Sequence, residues 1–153
     1  KSVDDGVNAE LLLSEIADYV VTKLCSGLSP TPQVHLVSEQ SVVVDKEKVV
    51  NVLYHLISNA QQATDDDGSV DITLSLDAES YNQLIIIEDT GIGMDRTFIE
   101  QRLFKPFDTT KGNAGMGIGA YDAKTYIESI GGKLTVHSEP GRGSCFTLFF
   151  PIV

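Results

Sequence analysis

The chain has 153 residues and a mass of 16.6 kDa, the size of one compact domain. Hydrophobic residues make up 42% and charged residues 22%, which excludes an intrinsically disordered chain. The formal net charge of −11 argues against direct binding to nucleic acid, which normally needs a basic face. No apolar run approaches the ~20 residues of a membrane-spanning helix, and two cysteines are too few for a disulfide framework or a zinc site.

The N-terminal part of the chain predicts two helices with two short strands between them. Apolar residues at four-residue spacing predict an amphipathic helix over residues 7–24. Short apolar segments over 34–37 and 41–44 predict strands. Asp45 is placed to cap a second helix over 46–64, whose apolar residues mark one core-facing side.

The C-terminal part predicts four strands and one more helix. Alternating apolar residues over 70–76 indicate a half-buried strand, and the continuous apolar run 84–87 indicates a more central one. A buried helical face begins at Ala120 and ends before two glycines. Alternation over 134–136 and 146–150 predicts a closing hairpin, so a mixed sheet covered by helices on one face is expected.

The helix predicted over 46–64 carries a row of neutral polar side chains opposite its apolar face. Asn51, His55, Asn59 and Gln62 lie at spacings that place them on one side. A solvated face is one interpretation. Such a face usually carries lysine and glutamate, however, whereas amides and an imidazole can coordinate a metal or hold a phosphate without adding charge.

The apolar run 84–87 ends in the sequence EDTGIGM, residues 88–94. This places the carboxylate of Asp89 at the end of a strand, and Gly91 and Gly93 allow a sharp backbone turn beside it. An ionised carboxylate only accepts hydrogen bonds, so its best small-molecule partner is a donor such as an exocyclic amine. An ordinary tight loop is the alternative.

Two further segments lie between this loop and the last helix. In FKPFDTTK, Phe104 and Phe107 are expected to anchor a loop in the core, while residues 109–111 are small or cationic. In GMGIG, residues 115–119, alternate glycines in front of a helix would leave backbone N–H groups free for a phosphate. The chain lacks the GxxxxGK[ST] motif, and its GxGxxA match follows a polar segment instead of a strand, which excludes a P-loop and a dinucleotide fold.

In their order along the chain, these segments resemble the ATP-binding catalytic domain of bacterial sensor histidine kinases. That domain belongs to the GHKL superfamily, shared with DNA gyrase B, Hsp90 and MutL. The segments HLISNAQQA, EDTGIGM, FKPF, GMGIG and GRGSCFTLFFP resemble its N, G1, F and G2 boxes and its closing strand. The sequences of these motifs are most similar to those of the sensor kinases linked to exosortase (PEP-CTERM) systems. The resemblance implies an α+β fold, a two-layer α/β sandwich of the Bergerat type, in which a mixed, mostly antiparallel sheet packs against helices beside an ATP lid.

The resemblance also implies the cofactors ATP and Mg²⁺ and a role for each matching residue. Asp89 would accept the adenine amino group, with Ser144 supporting it directly or through a water. Asn59 would bind Mg²⁺ through its amide oxygen and, with His55, act in catalysis. The complete set of implied ATP contacts is Asn59, Gln62, Ala63, Asp89, Gly91, Gly93, Met94, Thr110, Lys111, Gly115, Met116, Gly117, Ile118, Gly119 and Ser144.

His55 distinguishes the branches of this superfamily. Hydrolytic members place a glutamate one helical turn before the metal-binding asparagine, whereas this chain has a histidine. A neutral imidazole can orient a nucleophile without strongly activating water, which favours phosphoryl transfer to a side chain. An imidazole that only forms a structural hydrogen bond is the alternative.

We therefore expect residues 1–153 to form a single ATP-binding catalytic domain, with 1–6 as a linker from a dimerisation and phosphoacceptor domain that this chain lacks. None of His35, His55 and His137 lies where a phosphoaccepting histidine is expected. The expected partners are that dimerisation domain and a response regulator, with no nucleic acid and no direct membrane contact. The expected setting is a cytoplasmic domain of a protein that can carry a membrane anchor elsewhere. The alternatives are an anti-sigma-factor-type serine kinase, an ATPase, or a nucleotide-binding module without catalysis.

Overall fold

A computed structural model describes residues 7–105 and 114–152, the segment 114–119 by its backbone alone. Within these ranges the chain forms seven strands and four helices, two of which continue into a π-helical turn. In chain order they are β1 (Asn8–Leu11), α1 (Leu13–Tyr19, then the turn Val20–Leu24), β2 (Gln33–Leu36), β3 (Val42–Asp45), α2 (Lys46–Gln62), β4 (Val70–Asp77), β5 (Asn82–Asp89), α3 (Arg96–Phe98, then the turn Ile99–Leu103), α4 (Ala114–Ser129), β6 (Lys133–Glu139) and β7 (Gly143–Pro151).

The main sheet has five strands in the order β2-β4-β5-β7-β6. Strand β2 runs parallel to β4, and every other neighbouring pair is antiparallel. Strands β1 and β3 form a separate antiparallel pair. The predicted α+β fold with a mixed, mostly antiparallel sheet is therefore confirmed.

The core lies between one face of this sheet and helices α1, α2 and α4. Alternate residues of the central strands point into it, among them Ile72, Ile85 and Leu148, each fully buried. The matching helical residues are also buried: Leu13, Ile16, Val49, Leu53, Ile57, Ala123 and Ile127. Buried apolar residues recur at every second position in the strands and about every 3.6 positions in the helices, and together they form one continuous apolar layer.

Helix α2, which carries the polar row, is fixed at both ends. At its start, Oδ1 of Asp45 accepts from the backbone N–H of Glu47 at 3.1 Å and of Lys48 at 3.4 Å, so the predicted cap is confirmed. The backbone N–H of Asp45 donates to the hydroxyl of Tyr126 on α4 at 3.0 Å. Near its end, Nε2 of buried Gln61 lies within hydrogen-bonding distance of three carbonyl oxygens of the loop before β2, those of Cys25, Leu28 and Pro30, among which it shares its two hydrogens.

The helix predicted over 7–24 is wrong in its first turn. Residues 8–11 instead form β1 and pair with β3, and α1 begins only at Leu13. The buried face of the helix also differs from the predicted one: Leu13 and Ile16 are buried, whereas Leu12 and Leu24 are 37% and 41% exposed. The apolar helical spacing begins only at Leu12, and residues 8–11 pair with a distant strand instead of extending the helix.

The last helix starts six residues earlier than predicted, at Ala114. It ends as expected, because Gly131 adopts a φ of +83°, the left-handed conformation that terminates a helix. The short helix α3 was not predicted; its cap is Asp95, whose Oδ1 accepts from Phe98 N–H at 2.8 Å. Within residues 7–105 and 114–152, no helix is long and apolar enough to cross a membrane.

Candidate functional site

A pocket opens where the end of α2, the loop after β5 and strand β7 meet. Its walls are mostly apolar, and its polar groups are few. The lining residues are Leu56, Asn59, Ala60, Ala63, Asp89, Ile92, Gly93, Met94, Leu103, Ala120, Ser144 and Phe146. A largely apolar pocket with a few convergent polar groups is the usual form of a small-molecule site.

Asp89 is the charged group of this pocket. It is the last residue of β5 and pairs with Ser144 on β7, and only 9% of its surface is exposed. Burial raises the pKa of its carboxyl above the ordinary value, while the backbone N–H groups of Gly91 and Ser144 act in the opposite direction. The N–H of Gly91 donates to Oδ1 at 2.9 Å. The pocket therefore offers a fixed hydrogen-bond acceptor in apolar surroundings.

Gly91 and Gly93 allow the loop after β5 to approach two neighbouring elements closely. A Cβ on Gly91 would overlap the carbonyl of Ala63 at the end of α2. Gly93 has a φ of +72°, and a Cβ there would overlap the carbonyl of Glu139 at the end of β6. Ile92, between the two glycines, donates to the Ala63 carbonyl at 3.0 Å. The shape of the pocket thus depends on backbone contacts that any larger side chain would push apart.

Gly143 has the same role on the other side of Asp89, although the sequence indicated only a turn there. Its φ is +83°, and a Cβ would overlap the backbone carbonyl of Asp89. This close approach is non-local, so a single sequence does not reveal it.

Ser138 is the polar residue near the pocket that the motifs missed. It lies on β6 directly opposite Ser144 on β7, and their hydroxyl oxygens are 2.8 Å apart. It also accepts from the N–H of Met94 at 2.8 Å and donates to the carbonyl of Gly143 at 2.9 Å. The period-2 pattern of Leu134, Val136 and Ser138 was a usable signal, because it places Ser138 on the inward face.

The polar row on α2 divides between two places. Asn59 lines the pocket together with Asp89, whereas Gln62 is exposed to solvent. Half-buried His55 lines a neighbouring groove of about 440 Å³ between α2 and α4, and so does Asn51. The ring of His55 also contacts that of Tyr54 edge to face, with centroids 5.5 Å apart.

The predicted phosphate-binding residues are placed only in part. Thr110 and Lys111 lie outside the described residues. The prediction that the GMGIG glycines precede the last helix is wrong, because Gly115, Met116, Gly117, Ile118 and Gly119 all lie within the first turns of α4. The first turn of a helix has backbone N–H groups without a partner inside the helix, and here that turn lies at the start of the GMGIG segment and not at its end.

The described side chains include no group of three or more His, Cys, Asp or Glu that could hold a metal ion. Mg²⁺ is ordinarily held through one or two protein oxygen atoms together with substrate phosphates and waters, so such a cluster is not required for it. The side-chain amide of Asn59, which lines the pocket, supplies one oxygen of the kind that this ion accepts. The donor set is thus compatible with a magnesium ion carried by a nucleotide.

Comparison with known proteins gives consistent matches. A model of the family described as histidine kinase-, DNA gyrase B-, and HSP90-like ATPase matches residues 44–153. The signal transduction histidine-protein kinase AtoS of Escherichia coli (strain K12) is 37% identical over 108 residues, which cover 71% of this chain and 17% of AtoS. This chain therefore corresponds to about a sixth of the length of AtoS.

Solved structures agree with this match. The catalytic domain of histidine kinase ThkA superposes with a TM-score of 0.77 at 24% identity, covering 94% of this chain and 95% of that domain. Full-length ShkA in complex with AMPPNP superposes with a TM-score of 0.76 at 19% identity, covering 94% of this chain and 31% of ShkA. At these identities the structures establish the fold, and the family match covers most of the sequence. The chain belongs to the family of histidine kinase-, DNA gyrase B- and HSP90-like ATPases.

Proposed function

We propose that this chain is the ATP-binding kinase domain of a two-component sensor histidine kinase. It would bind Mg-ATP and transfer the γ-phosphoryl group to a histidine on a separate dimerisation domain. The observation that carries the proposal is Asp89, a buried carboxylate at the polar end of an apolar pocket, in a chain of this ATPase family.

Adenine fits the chemistry of this pocket. The exocyclic amino group of adenine donates hydrogen bonds, and the Asp89 carboxylate accepts them. The flat base would lie against the apolar walls formed by Ile92, Met94 and Phe146. Gly91 and Gly93 would set the width of the pocket through their close backbone contacts.

The triphosphate and its magnesium ion would extend from this pocket along α2. Asn59 would contribute its amide oxygen to Mg²⁺, and the N-terminal turn of α4 would offer backbone N–H groups to the phosphates. Thr110 and Lys111 are proposed from the sequence resemblance alone to offset the phosphate charge. Because phosphoryl transfer depends mainly on positioning and charge neutralisation, this small set of groups is sufficient.

His55 is proposed to orient the incoming nucleophile. It lies one helical turn before Asn59 on α2 and lines the groove between α2 and α4, and we place it beside the path along which the phosphates would extend. A neutral imidazole there accepts a hydrogen bond without the strong basicity that would activate water. This supports transfer over hydrolysis.

The remaining proposals concern the whole protein. Its partners would be a dimerisation domain with the accepting histidine and a response regulator downstream. The similarity to AtoS, which is named a signal transduction histidine-protein kinase, supports a role in signalling. We propose that the domain acts in the cytoplasm. From the sequences of its motifs, we propose that the protein belongs to the exosortase-linked branch of sensor kinases.

A calorimetric titration with ATP, with and without Mg²⁺, tests the binding part. We expect one site per chain and tighter binding with Mg²⁺. The second part is tested by incubating the domain and γ-labelled ATP with the dimerisation domain of the same protein, where acid-labile phosphohistidine is the expected product. Transfer to serine, or rapid phosphate release by the domain alone, would favour the serine kinase or the ATPase. Binding without any transfer would leave a nucleotide-binding module.

A further inference from the structure

Three polar side chains form a row across neighbouring strands at the pocket end of the sheet. The strand register pairs Asp89 on β5 with Ser144 on β7, and Ser144 with Ser138 on β6. Directly paired residues point to the same face of a sheet. The row therefore begins at the carboxylate in the pocket and ends at a hydroxyl that does not line it.

The hydrogen bonds of Ser138 leave one consistent arrangement of hydroxyl hydrogens. Its oxygen lies 2.9 Å from the carbonyl of Gly143, which can only accept, so the single hydroxyl hydrogen of Ser138 is directed there. The N–H of Met94 donates to the same oxygen from the other side. The 2.8 Å contact between the two serine hydroxyls must then use the hydrogen of Ser144.

This arrangement determines what Ser144 presents to a ligand. Its only hydroxyl hydrogen points away from the pocket toward Ser138, so lone pairs of its oxygen remain for the pocket side. Asp89, when ionised, also has lone pairs only. The polar end of the pocket consequently accepts hydrogen bonds and donates none from these two side chains.

We propose that Ser138 is a positioning residue for base selectivity: by holding the Ser144 hydroxyl hydrogen, it keeps the pocket selective for a purine whose substituent at position 6 donates a hydrogen bond. This inference rests on the proposed ATP-binding function. An adenine amino group, or a water that it donates to, satisfies this requirement. A 6-oxo purine presents a carbonyl there instead, which leaves acceptors facing each other.

Removing the Ser138 hydroxyl should relax this selectivity. In Ser138→Ala, the Ser144 hydroxyl is free to rotate and to donate toward a 6-oxo group. The loss of the Met94 contact loosens the loop for every nucleotide and therefore weakens all of them equally. The ratio of two dissociation constants separates the two effects.

The test measures Kd for ATP and for inosine triphosphate by calorimetry. We expect Ser138→Ala to reduce the preference for ATP about 3- to 10-fold, the equivalent of one neutral hydrogen bond. Ser138→Thr keeps the hydroxyl and should retain the parent ratio. In the background of Ser144→Ala, the substitution of Ser138 should have no further effect on the ratio, because Ser138 acts through Ser144.

An unchanged ratio in Ser138→Ala, with both nucleotides weakened alike, would overturn the proposal and leave Ser138 a structural residue. A change of ratio that persists in the Ser144→Ala background would overturn it as well. Failure of the parent domain to bind ATP at all would instead contradict the proposed function. Thermal melting of each variant identifies any that does not fold, and Ser138→Thr then provides the comparison with the parent.

Discussion

Substituting Gly93 with alanine, beside the matched control Gly141→Ala, isolates the close backbone contact that forms one side of the pocket. Both glycines have nearly the same positive φ, +72° and +80°. A Cβ on Gly141 would have no heavy atom within 4 Å, whereas a Cβ on Gly93 would overlap the backbone carbonyl of Glu139. The two variants thus share the conformational penalty and differ in the steric one.

The shared penalty is about 1–2 kcal/mol for a left-handed alanine, partly offset by about 0.4–1 kcal/mol because alanine restricts the unfolded chain. Gly141→Ala should therefore lower the free energy of unfolding by about 1 kcal/mol and the melting temperature by about 2–4 °C. Gly93→Ala carries an additional overpacking cost of about 1–3 kcal/mol, because Glu139 lies in a paired strand and cannot easily move away. The loop itself must move, and with it Met94.

Denaturant unfolding and a calorimetric ATP titration measure the two consequences. We expect Gly141→Ala to bind ATP like the parent, and Gly93→Ala to bind at least about tenfold more weakly, since loss of about 1.4 kcal/mol corresponds to that factor. Equal losses of stability in the two variants, or parental ATP affinity in Gly93→Ala, would refute the argument from close approach.

Four further predictions address Asp89, Asn59 and the capping residue Asp45. Asp89→Asn should weaken ATP binding about 10- to 150-fold in calorimetry, through loss of a charged hydrogen bond of about 1.5–3 kcal/mol. Burial raises the pKa of the Asp89 carboxyl in the folded protein, so the native state holds this proton to higher pH than the unfolded chain does. The free energy of unfolding without nucleotide should therefore fall as the pH rises through that raised pKa. Melting curves of Asp89→Asn should lack this decline. Asn59→Ala should abolish most of the difference between ATP titrations with and without Mg²⁺, and an unchanged difference would place the metal elsewhere. Asp45→Ala should cost about 0.5–2 kcal/mol in chemical unfolding through loss of the cap of α2, without changing the ATP affinity by more than a small factor.

Local signals predicted those parts of the site that depend on local chemistry. Asp45 has a capping residue type in front of an apolar periodicity, and the structure confirms the cap. The apolar run before Asp89 predicted a strand that ends in a carboxylate, and Asp89 is indeed the last residue of β5. In both cases the determining residues lie within a few positions of each other.

Non-local contacts explain what the sequence missed. Residues 8–11 pair with the distant strand β3, a contact that the local helical spacing does not show, so the helix predicted over 7–24 began too early. Glycine costs a helix interior about 1 kcal/mol relative to alanine, so local propensity does not predict a helix that includes the glycines of residues 115–119, as α4 does. The contacts of Gly93 with Glu139 and of Gly143 with Asp89 join segments that are more than 40 residues apart.

The most direct measurement of the central claim is a crystal structure of this domain grown with AMPPNP and Mg²⁺. The account predicts that the adenine amino group lies within hydrogen-bonding distance of the Asp89 carboxylate, and that the amide oxygen of Asn59 coordinates the ion. A nucleotide whose base occupies another part of the surface, or a magnesium ion bound away from α2, would contradict it.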